Sequence, residues 1–317
     1  MQHQSVSFTL LKMNNTEREV DIVVKVINAG IWTITTLLVL LLNAVCLIIL
    51  PKVKGIHEST KVFLTCMTIG DFNLGVFYYL PMIGVAIAGG AWPFGAFCYV
   101  QALVIRQGLL MNMSSAVLIT FDRYTAVVHP LRYVSLVTGW RAKIISFSIA
   151  ALTTLYAFSF LLLELNHTQF NPILQICLIG ENNLTTYLLT FTSGILMFVV
   201  LIAMYIKILK IASKHAVRIA AQQNPIAEKP LTPSRRSFTT IFIITSLLMI
   251  GYIPFSIISI MVSANIQPPW IIVNMTKVLL ASVSWLNVMI YYVRNKEVRK
   301  TTQSFLQNIR QYCSCHE

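Results

Sequence analysis

Seven apolar stretches, each long enough to cross a membrane, constrain this chain more than any other feature. They cover approximately residues 24–50, 61–87, 96–128, 142–164, 185–211, 237–263 and 270–293. About 20 apolar residues in a helix span the roughly 30 Å of hydrocarbon in a bilayer, where the backbone must form its hydrogen bonds internally. With 56% apolar and only 11% charged residues, the chain is too apolar for an ordinary soluble domain. The sequence therefore predicts an all-α membrane protein, a seven-transmembrane helix bundle.

The lysines and arginines indicate which loops face the cytoplasm, because cytoplasmic loops of membrane proteins are enriched in both. Nineteen of the 24 lie in or beside the first, third and fifth loops and in the segment after the last span. We therefore predict a multi-pass plasma-membrane protein with an extracellular amino terminus. The charges are dispersed next to helix ends, so the net charge of +13 favours contact with an anionic lipid leaflet over a nucleic-acid partner.

The chain divides into three segments. Residues 1–22 are polar and predict an extracellular tail, and residues 23–294 contain the seven spans. Residues 295–317 predict a short amphipathic helix on the inner membrane surface, because apolar residues recur there at helical spacing, at Val298, Phe305, Leu306 and Ile309. Cys313 and Cys315 follow as candidate palmitoylation sites, with a tail of free thiols as the alternative.

Two kinds of residue predict covalent chemistry on the outer side. Cys98 starts the third span and Cys177 lies in the fourth loop. Both are predicted in the oxidising compartment where disulfides persist, so we predict a bond between them. Asn-X-Thr triplets, the acceptor pattern for N-glycosylation, begin on the same side at Asn14, Asn166 and Asn183, and one at Asn274 lies close to the membrane.

An acid and a base stand side by side where the third span meets water, in Asp122-Arg123-Tyr124, and the segment HPLRY follows up to Tyr133. Further landmarks follow one another along the spans: Asn43, Asp71, Trp92-Pro93-Phe94-Gly95 before Cys98, Pro254, Asn287 and Tyr291. In this order and spacing the chain resembles the rhodopsin-like (class A) G-protein-coupled receptors over nearly its whole length. The resemblance implies a receptor that converts binding of an extracellular ligand into activation of a heterotrimeric G protein. An enzyme is not expected, because no span clusters histidine, cysteine and carboxylate side chains.

The resemblance also implies a switch near the cytoplasm. Asp122 would restrain Arg123 at rest and release it to contact the G protein when the sixth helix swings outward. The paired and released states of a charge-assisted pair at the edge of water differ by only a few kcal/mol, which suits a switch. In the alternative, Arg123 is only a snorkelling residue at the membrane interface. The residues expected to couple the ligand to this end are Tyr124, Tyr205, Tyr252, Pro254, Asn287 and Tyr291.

Several departures from the family pattern predict a less firmly held resting state. The seventh span reads Asn287-Val288-Met289-Ile290-Tyr291 and lacks the proline that distorts this helix in the family. The sixth reads Gly251-Tyr252-Ile253-Pro254, with Tyr252 in place of the usual tryptophan. Ser234 or its neighbours replace the family's frequent acidic partner of Arg123. We therefore expect raised basal activity.

Asp71 lies about ten residues, near 15 Å, inside the membrane from Lys61. A carboxylate at that depth is expensive and usually functional. In the family this position holds a sodium ion, and oxygen ligands suit such a hard cation. The resemblance implies a sodium site formed by Asp71, Asn112, Ser284 and Asn287, and the alternative is a protonated Asp71 in a polar network.

The resemblance places the ligand between the outer halves of the helices. Ile105 occupies the position where amine receptors carry an aspartate, so an amine ligand would lack its counter-ion. Arg106 and Lys277 add two cations to a largely apolar region, which favours a carboxylate, an acidic lipid or a peptide end. The alternative is that Arg106 pairs with Glu164 or Glu181 and Lys277 snorkels outward. The full expected contact set is Ile105, Arg106, Leu109, Tyr252, Phe255 and Lys277.

Three other functions are alternatives to this prediction. An opsin would carry its retinal-binding lysine at the position of Ala281, one turn from Lys277, so no retinal and no other organic cofactor is expected. A transporter would predict internal repeats and broken paired helices, which the sequence does not show. A chemosensory, odorant-type receptor fits the same residues as well as a peptide receptor does.

Overall fold

The computed structural model describes residues 15–180, 184–222 and 233–314. Within these ranges, seven helices are long and apolar enough to cross a membrane, which confirms the predicted bundle. They are α1 (Asn15–Ile49), α2 (Glu58–Ile87), α3 (Phe97–Val128), α4 (Gly139–Leu163), α5 (Leu184–Gln222), α6 (Pro233–Ser263) and α7 (Trp270–Arg294).

Two helices continue well beyond their predicted spans. α1 begins at Asn15, inside the segment predicted as a tail, and Lys25 pairs there with Asp21 at 2.6 Å. An ion pair at i,i+4 supports a helix in water, so helix formation does not end where the apolar run ends. α5 similarly continues to Gln222, past its predicted end at residue 211.

α2 is interrupted by one wider π-turn, Gly75–Tyr79. Pro81 follows it, and because proline has no backbone N–H and crowds the preceding turn, a regular helix cannot pass through this point unchanged. The turn buries two consecutive aromatic side chains, Tyr78 and Tyr79, whose ring centroids lie 4.8 Å apart. A Cβ on Gly75 would lie only 2.8 Å from Leu40 of α1, so α1 and α2 approach closely here.

A two-stranded antiparallel hairpin, β1 (Gln169–Asn171) and β2 (Ile176–Leu178), covers one end of the bundle. The predicted disulfide is present, with the Cα atoms of Cys98 and Cys177 5.3 Å apart. The backbone N–H of Cys177 also donates to Gln101 Oε1 at 2.9 Å. The hairpin is thus fixed to α3 twice, and this end of the bundle is called the disulfide end.

The opposite end, where α3 finishes after Asp122, is called the Asp122 end. A short helix, α8 (Lys296–Ser314), follows α7 there, as predicted. Asn295 Oδ1 accepts from the backbone N–H of Glu297 at 2.9 Å and of Val298 at 3.3 Å, which caps the new helix. Val298 then packs against Ile49 and Val53. The helix is therefore attached to the bundle through its apolar face.

The bundle is apolar outside as well as inside. Its core contains Trp32, Leu74, Tyr252 and Leu280, yet large apolar side chains of α4 such as Phe147 are exposed. Such a continuous exposed apolar surface is expected where lipid replaces water. The chain is therefore a multi-pass membrane protein.

The covalent modification sites are only partly visible in the structure. Asn166 is exposed in a single turn, Leu165–His167, while Asn14 and Asn183 lie outside the described residues. Asn274 is buried and donates to Asn28 Oδ1 at 2.8 Å, which makes it inaccessible to a glycan. Cys315 and the side chain of Cys313 also lie outside the described part, so palmitoylation and glycosylation remain predictions.

Candidate ligand cavity and switch region

A cavity of about 390 Å³ lies between α3, α5 and α6, near the disulfide end. This volume falls within the range of roughly 300–1,000 Å³ found for ligand sites. Strand β2 contributes Ile176 and Leu178 to its wall. The structure brings five of the six predicted contact residues together on this wall: Ile105, Arg106, Leu109, Tyr252 and Phe255.

Arg106 is the one cationic side chain among the described residues that line the cavity. Its guanidinium carbon lies 4.6 Å from the ring centroid of Phe160, a cation–π geometry that holds the planar group against α4. Glu181, one of its predicted partners, lies outside the described residues. The rest of the described wall is almost entirely apolar.

Lys277 does not line this cavity, and the alternative prediction that it snorkels outward is wrong. Its side chain is 0% exposed, and Nζ donates to the backbone carbonyl of Leu174 at 2.9 Å and to Gln175 Oε1 at 3.3 Å. The hairpin reaches down into the bundle and covers the lysine. Depth along α7 was readable from the sequence, but the position of the hairpin was not.

The hairpin can reach this depth because two residues at its contact point adopt unusual backbone conformations. Gln175 has φ +56° and Gly90 has φ +91°. A Cβ on Gly90 would lie 2.5 Å from Gln175 Nε2, so any side chain at residue 90 would collide with the glutamine amide. Gly90 is thus required both for its own conformation and for the approach of Gln175.

Tyr252 lies at the boundary between the cavity and the middle of the bundle. Its hydroxyl donates to the backbone carbonyl of Leu109 at 3.0 Å, and its ring meets Phe198 edge-on at 6.3 Å. The tyrosine therefore ties α6 to α3 and touches α5, two residues before Pro254 in α6. A tryptophan at this position would lack the hydroxyl that makes the link to Leu109.

The predicted sodium-site residues form a buried polar cluster below Tyr252. Asn112 Nδ2 donates to Asp71 Oδ1 at 2.8 Å, and Ser284 and Asn287 lie close enough to influence the Asp71 carboxylate. Within the described part of the chain, three buried oxygens here have no hydrogen-bond partner: Asp71 Oδ2, Asn112 Oδ1 and Asn287 Oδ1. Such oxygens fit a hard monovalent cation or bridging waters.

At the Asp122 end, the carboxylate of Asp122 is 0% exposed and accepts hydrogen bonds from three elements. Ser59 Oγ and Tyr133 OH donate to Oδ1 at 2.7 and 2.8 Å. Thr60 Oγ1 and Arg123 Nη2 donate to Oδ2 at 2.7 and 2.6 Å. The Asp122–Arg123 pair that the sequence predicted is therefore present, inside a larger network.

The sequence prediction missed Ser59, Thr60 and Tyr133. Arg123 Nη2 also contacts Thr60 Oγ1, so the threonine bridges both members of the ion pair. Burial raises the pKa of Tyr133 above its ordinary value, which keeps its hydroxyl protonated as a donor. The one available signal was two adjacent hydroxyl residues starting an apolar span, and hydroxyl side chains are common at helix starts for other reasons.

The other predicted switch residues lie between the two ends. Tyr205 OH and Thr245 Oγ1 are 3.1 Å apart and link α5 to α6. The hydroxyl of Tyr291 is buried and has no hydrogen-bond partner within residues 15–180, 184–222 and 233–314. Tyr124 is half-buried, and the side chain of Ser234 lies outside the described part. The arrangement provides a cavity of ligand size, a middle polar cluster and an arginine held at the far end.

A seven-helix membrane protein with a cavity at one end and a restrained arginine at the other is, by class, a transmembrane receptor. The model of the family described as 7 transmembrane receptor (rhodopsin family) matches residues 42–291. The chain belongs to this family, which confirms the resemblance seen in the sequence. Its members are receptors rather than enzymes.

The chain is also similar to several receptors of known name. It is 23% identical over 271 residues to probable G-protein coupled receptor 21 of Mus musculus, covering 82% of this chain and 77% of the relative. It is 24% identical to melatonin receptor type 1C of Gallus gallus, covering 89% of this chain and 82% of the relative. Trace amine-associated receptor 4 of Rattus norvegicus is 24% identical, with 69% and 67% covered.

Proposed function

We propose that this protein is a plasma-membrane receptor that binds an extracellular or membrane-derived ligand at its disulfide end and activates a heterotrimeric G protein at its Asp122 end. The observation that carries the proposal is the restrained Arg123, held by Asp122 and Thr60 at the end opposite the cavity. Family membership supports a G-protein partner. A pair that is stable yet partly exposed to water suits release by a conformational change.

The proposed orientation puts the disulfide end outside the cell. The loops at the Asp122 end and the C-terminal segment carry most of the lysines and arginines, which favours the cytoplasm for that end. The disulfide between Cys98 and Cys177 suits the oxidising exterior. Asn166, exposed at the disulfide end, would then be accessible to glycosylation.

The cavity favours a lipophilic ligand with one acidic or hydrogen-bond-accepting group. Ile195, Val199, Ile253 and Ile257 line the cavity and are also exposed on the outer surface of the bundle, so the cavity opens toward the bilayer between α5 and α6. Arg106 offers donors at its inner wall. The described lining contains no aspartate or glutamate, so a trace amine, as in the name of one relative, would lack a counter-ion here.

The proposal is tested by a ligand screen with a second-messenger readout, run beside Arg123→Ala at matched surface expression. The library should contain fatty acids, lysophospholipids and amines. We expect responses to acidic lipophiles, abolished in Arg123→Ala and reduced about tenfold in potency in Arg106→Ala, as for loss of one charge-assisted contact. A full response from Arg123→Ala would contradict the mechanism, and unchanged potency in Arg106→Ala would contradict the ligand class.

We further propose that Asp71, Asn112, Ser284 and Asn287 hold a sodium ion in the resting receptor. The unpartnered buried oxygens of this cluster support the proposal, since each would otherwise remain desolvated without compensation. The ion would neutralise Asp71 and link α2, α3 and α7.

A further inference from the structure

A second cavity, of about 310 Å³, lies between α1, α2, α7 and α8, near the Asp122 end. It is separate from the ligand cavity, because no residue lines both. Its wall is almost wholly apolar and includes Leu42, Val45 and Ile49 of α1 and Val298 of α8. This cavity is called the α1–α8 slot.

The α1–α8 slot is elongated and opens to the membrane. Leu42 and Ile49 lie seven residues apart on α1, which is about 10 Å along a helix. Met289 of α7 and Leu306 of α8 also line the slot and are 38% and 53% exposed, so they flank its mouth. Since hydrocarbon surrounds the bundle at this depth, the occupant must be apolar and narrow, which describes an acyl chain.

One end of the slot carries positive charge. Lys52, one turn beyond Ile49, is exposed and its Nζ lies 5.1 Å from the ring centroid of Phe305, which holds the ammonium beside α8. Lys296 and Lys300 are exposed on the first turns of the same helix, and Lys300 also pairs with Glu297 at 3.6 Å. Cations where helices leave the bilayer attract anionic headgroups of the nearby leaflet. An acyl chain inside the slot would place its headgroup at this cationic end.

The deep side of the slot touches the proposed switch. Val288, at the position where the family has proline, lines it together with Tyr291, Asp71 and Thr68. An occupant would therefore contact α7 directly at Val288, where this chain lacks the family's proline. A filled slot would support α7 there, because a void leaves its lining without dispersion contacts.

We propose that the α1–α8 slot binds one acyl chain of an anionic phospholipid from the leaflet at the Asp122 end, with Lys52 contacting the headgroup. Calling that leaflet cytoplasmic rests on the orientation proposed above, but the site itself does not. The site is distinct from the receptor's ligand cavity.

The test uses the purified full-length receptor in nanodiscs that contain phosphatidylserine with a diazirine near the end of one acyl chain. Photolysis and peptide mapping should place adducts on Leu42 to Ile49 and on Val288 to Tyr292. Val45→Phe, which fills the slot, should lower these adducts about fivefold, while Leu41→Phe, on the exposed face of α1 one turn earlier, should leave them within about twofold.

The headgroup contact is tested by comparing phosphatidylserine with phosphatidylcholine that carries the same acyl chain. The wild-type receptor should give about threefold more adduct with phosphatidylserine, and Lys52→Gln should lose this preference, as expected for one charge near a lipid surface. Lys54→Gln, a neighbouring exposed lysine, should keep it. Equal labelling by the two lipids in the wild type would overturn the anionic assignment.

Two outcomes would overturn the slot itself. One is adducts spread evenly around the bundle and unaffected by Val45→Phe, or by Thr302→Phe on α8 should Val45→Phe not fold. The other is slot labelling that appears only after Cys313→Ser and Cys315→Ser are combined, since an acyl group attached to this chain would then be the occupant. We expect the double variant to label as the wild type does.

Discussion

Lys277 and Arg123, two cations inside the described part of the bundle, are held in different ways. Lys277, at the disulfide end, is fully buried and donates to neutral oxygens of the hairpin. Arg123, at the Asp122 end, has a 20% exposed side chain and pairs with the buried carboxylate of Asp122. Lys277 is covered by the hairpin and can reach water only if the hairpin moves, whereas a pair at the edge of water can exchange its partner for solvent or protein. In the mechanism proposed above, Lys277 is therefore a fixed contact and Arg123 is a releasable one.

The largest expected effect comes from breaking the restraint with Asp122→Ala. The substitution leaves Arg123, Ser59, Thr60 and Tyr133 without their shared acceptor. Four donors lose one charged acceptor, and a hydrogen bond to a charged group contributes about 1.5–3 kcal/mol, so the thermal midpoint should fall strongly and basal signalling should rise. Thermal unfolding of purified receptor and basal second-messenger levels measure both changes.

Glu58→Ala is the matched control for that variant. Glu58 is an exposed carboxylate one residue before Ser59 and pairs with Lys61 at 2.8 Å. An exposed pair contributes about 0–1 kcal/mol, so stability and basal signalling should change little. If Glu58→Ala were as destabilising as Asp122→Ala, the loss of any negative charge at this end, rather than the loss of the buried network, would explain the effect.

Lys277→Met tests the buried cation at the disulfide end and should change stability less than Asp122→Ala does. Methionine keeps most of the buried volume, while the Leu174 carbonyl and Gln175 amide lose a donor. Relief from burying a charge offsets part of that loss, so we expect destabilisation of about 1 kcal/mol and unchanged basal signalling. If this variant signals constitutively, Lys277 belongs to the switch and the contrast with Arg123 fails.

Tyr133→Phe sharpens the account of the restraint. It removes one of the donors to Asp122 and should cost about 0.5–1.5 kcal/mol, with a modest rise in basal signalling. Tyr99→Phe changes an exposed tyrosine at the other end of α3 and serves as the comparison. Equal effects from both variants would show that the hydroxyl of Tyr133 does not matter to the restraint.

Adding sodium should produce the smallest change in thermal stability. Raising sodium to a few times its dissociation constant stabilises the ion-bound state by about 1 kcal/mol, seen as a higher thermal midpoint in sodium than in equimolar N-methylglucamine. Asp71→Asn should abolish this difference, because the carboxylate supplies the charge. A sodium effect that survives in Asp71→Asn would show that the ion binds elsewhere.

The sequence was sufficient wherever a feature depended on local pattern. The spans follow from unbroken apolar runs, and Asp122 and Arg123 are neighbours in the chain. The Cys98–Cys177 bond followed from topology, because the start of the third span and the fourth loop were predicted on the same side of the membrane. Each of these inferences needed only a span, its ends or adjacent residues.

The features that were missed depend on contacts between distant segments. Lys277 meets the Leu174 carbonyl 103 residues away, and Thr60 meets Asp122 62 residues away. A backbone carbonyl leaves no mark in a sequence, and a hydroxyl residue is too common to identify its partner. Hence the position of Lys277 along α7 could be read from the sequence, while its hydrogen-bond partners could not.

Because of its π-turn, α2 tolerates the loss of a residue better at some positions than at others. A π-turn accommodates one residue more than a regular helix at that point, and each residue corresponds to about 100° of rotation. Loss of a single residue between Gly75 and Tyr79 would therefore leave a regular helix in which Met82 and Val85 keep their buried positions. Loss of one residue from the regular first half, Glu58–Leu74, would instead rotate the two flanking parts of the helix by about 100° relative to each other and turn buried side chains toward lipid, although no apolar residue had been replaced. The π-turn is thus the place where the second helix can lose a residue without exposing its buried face.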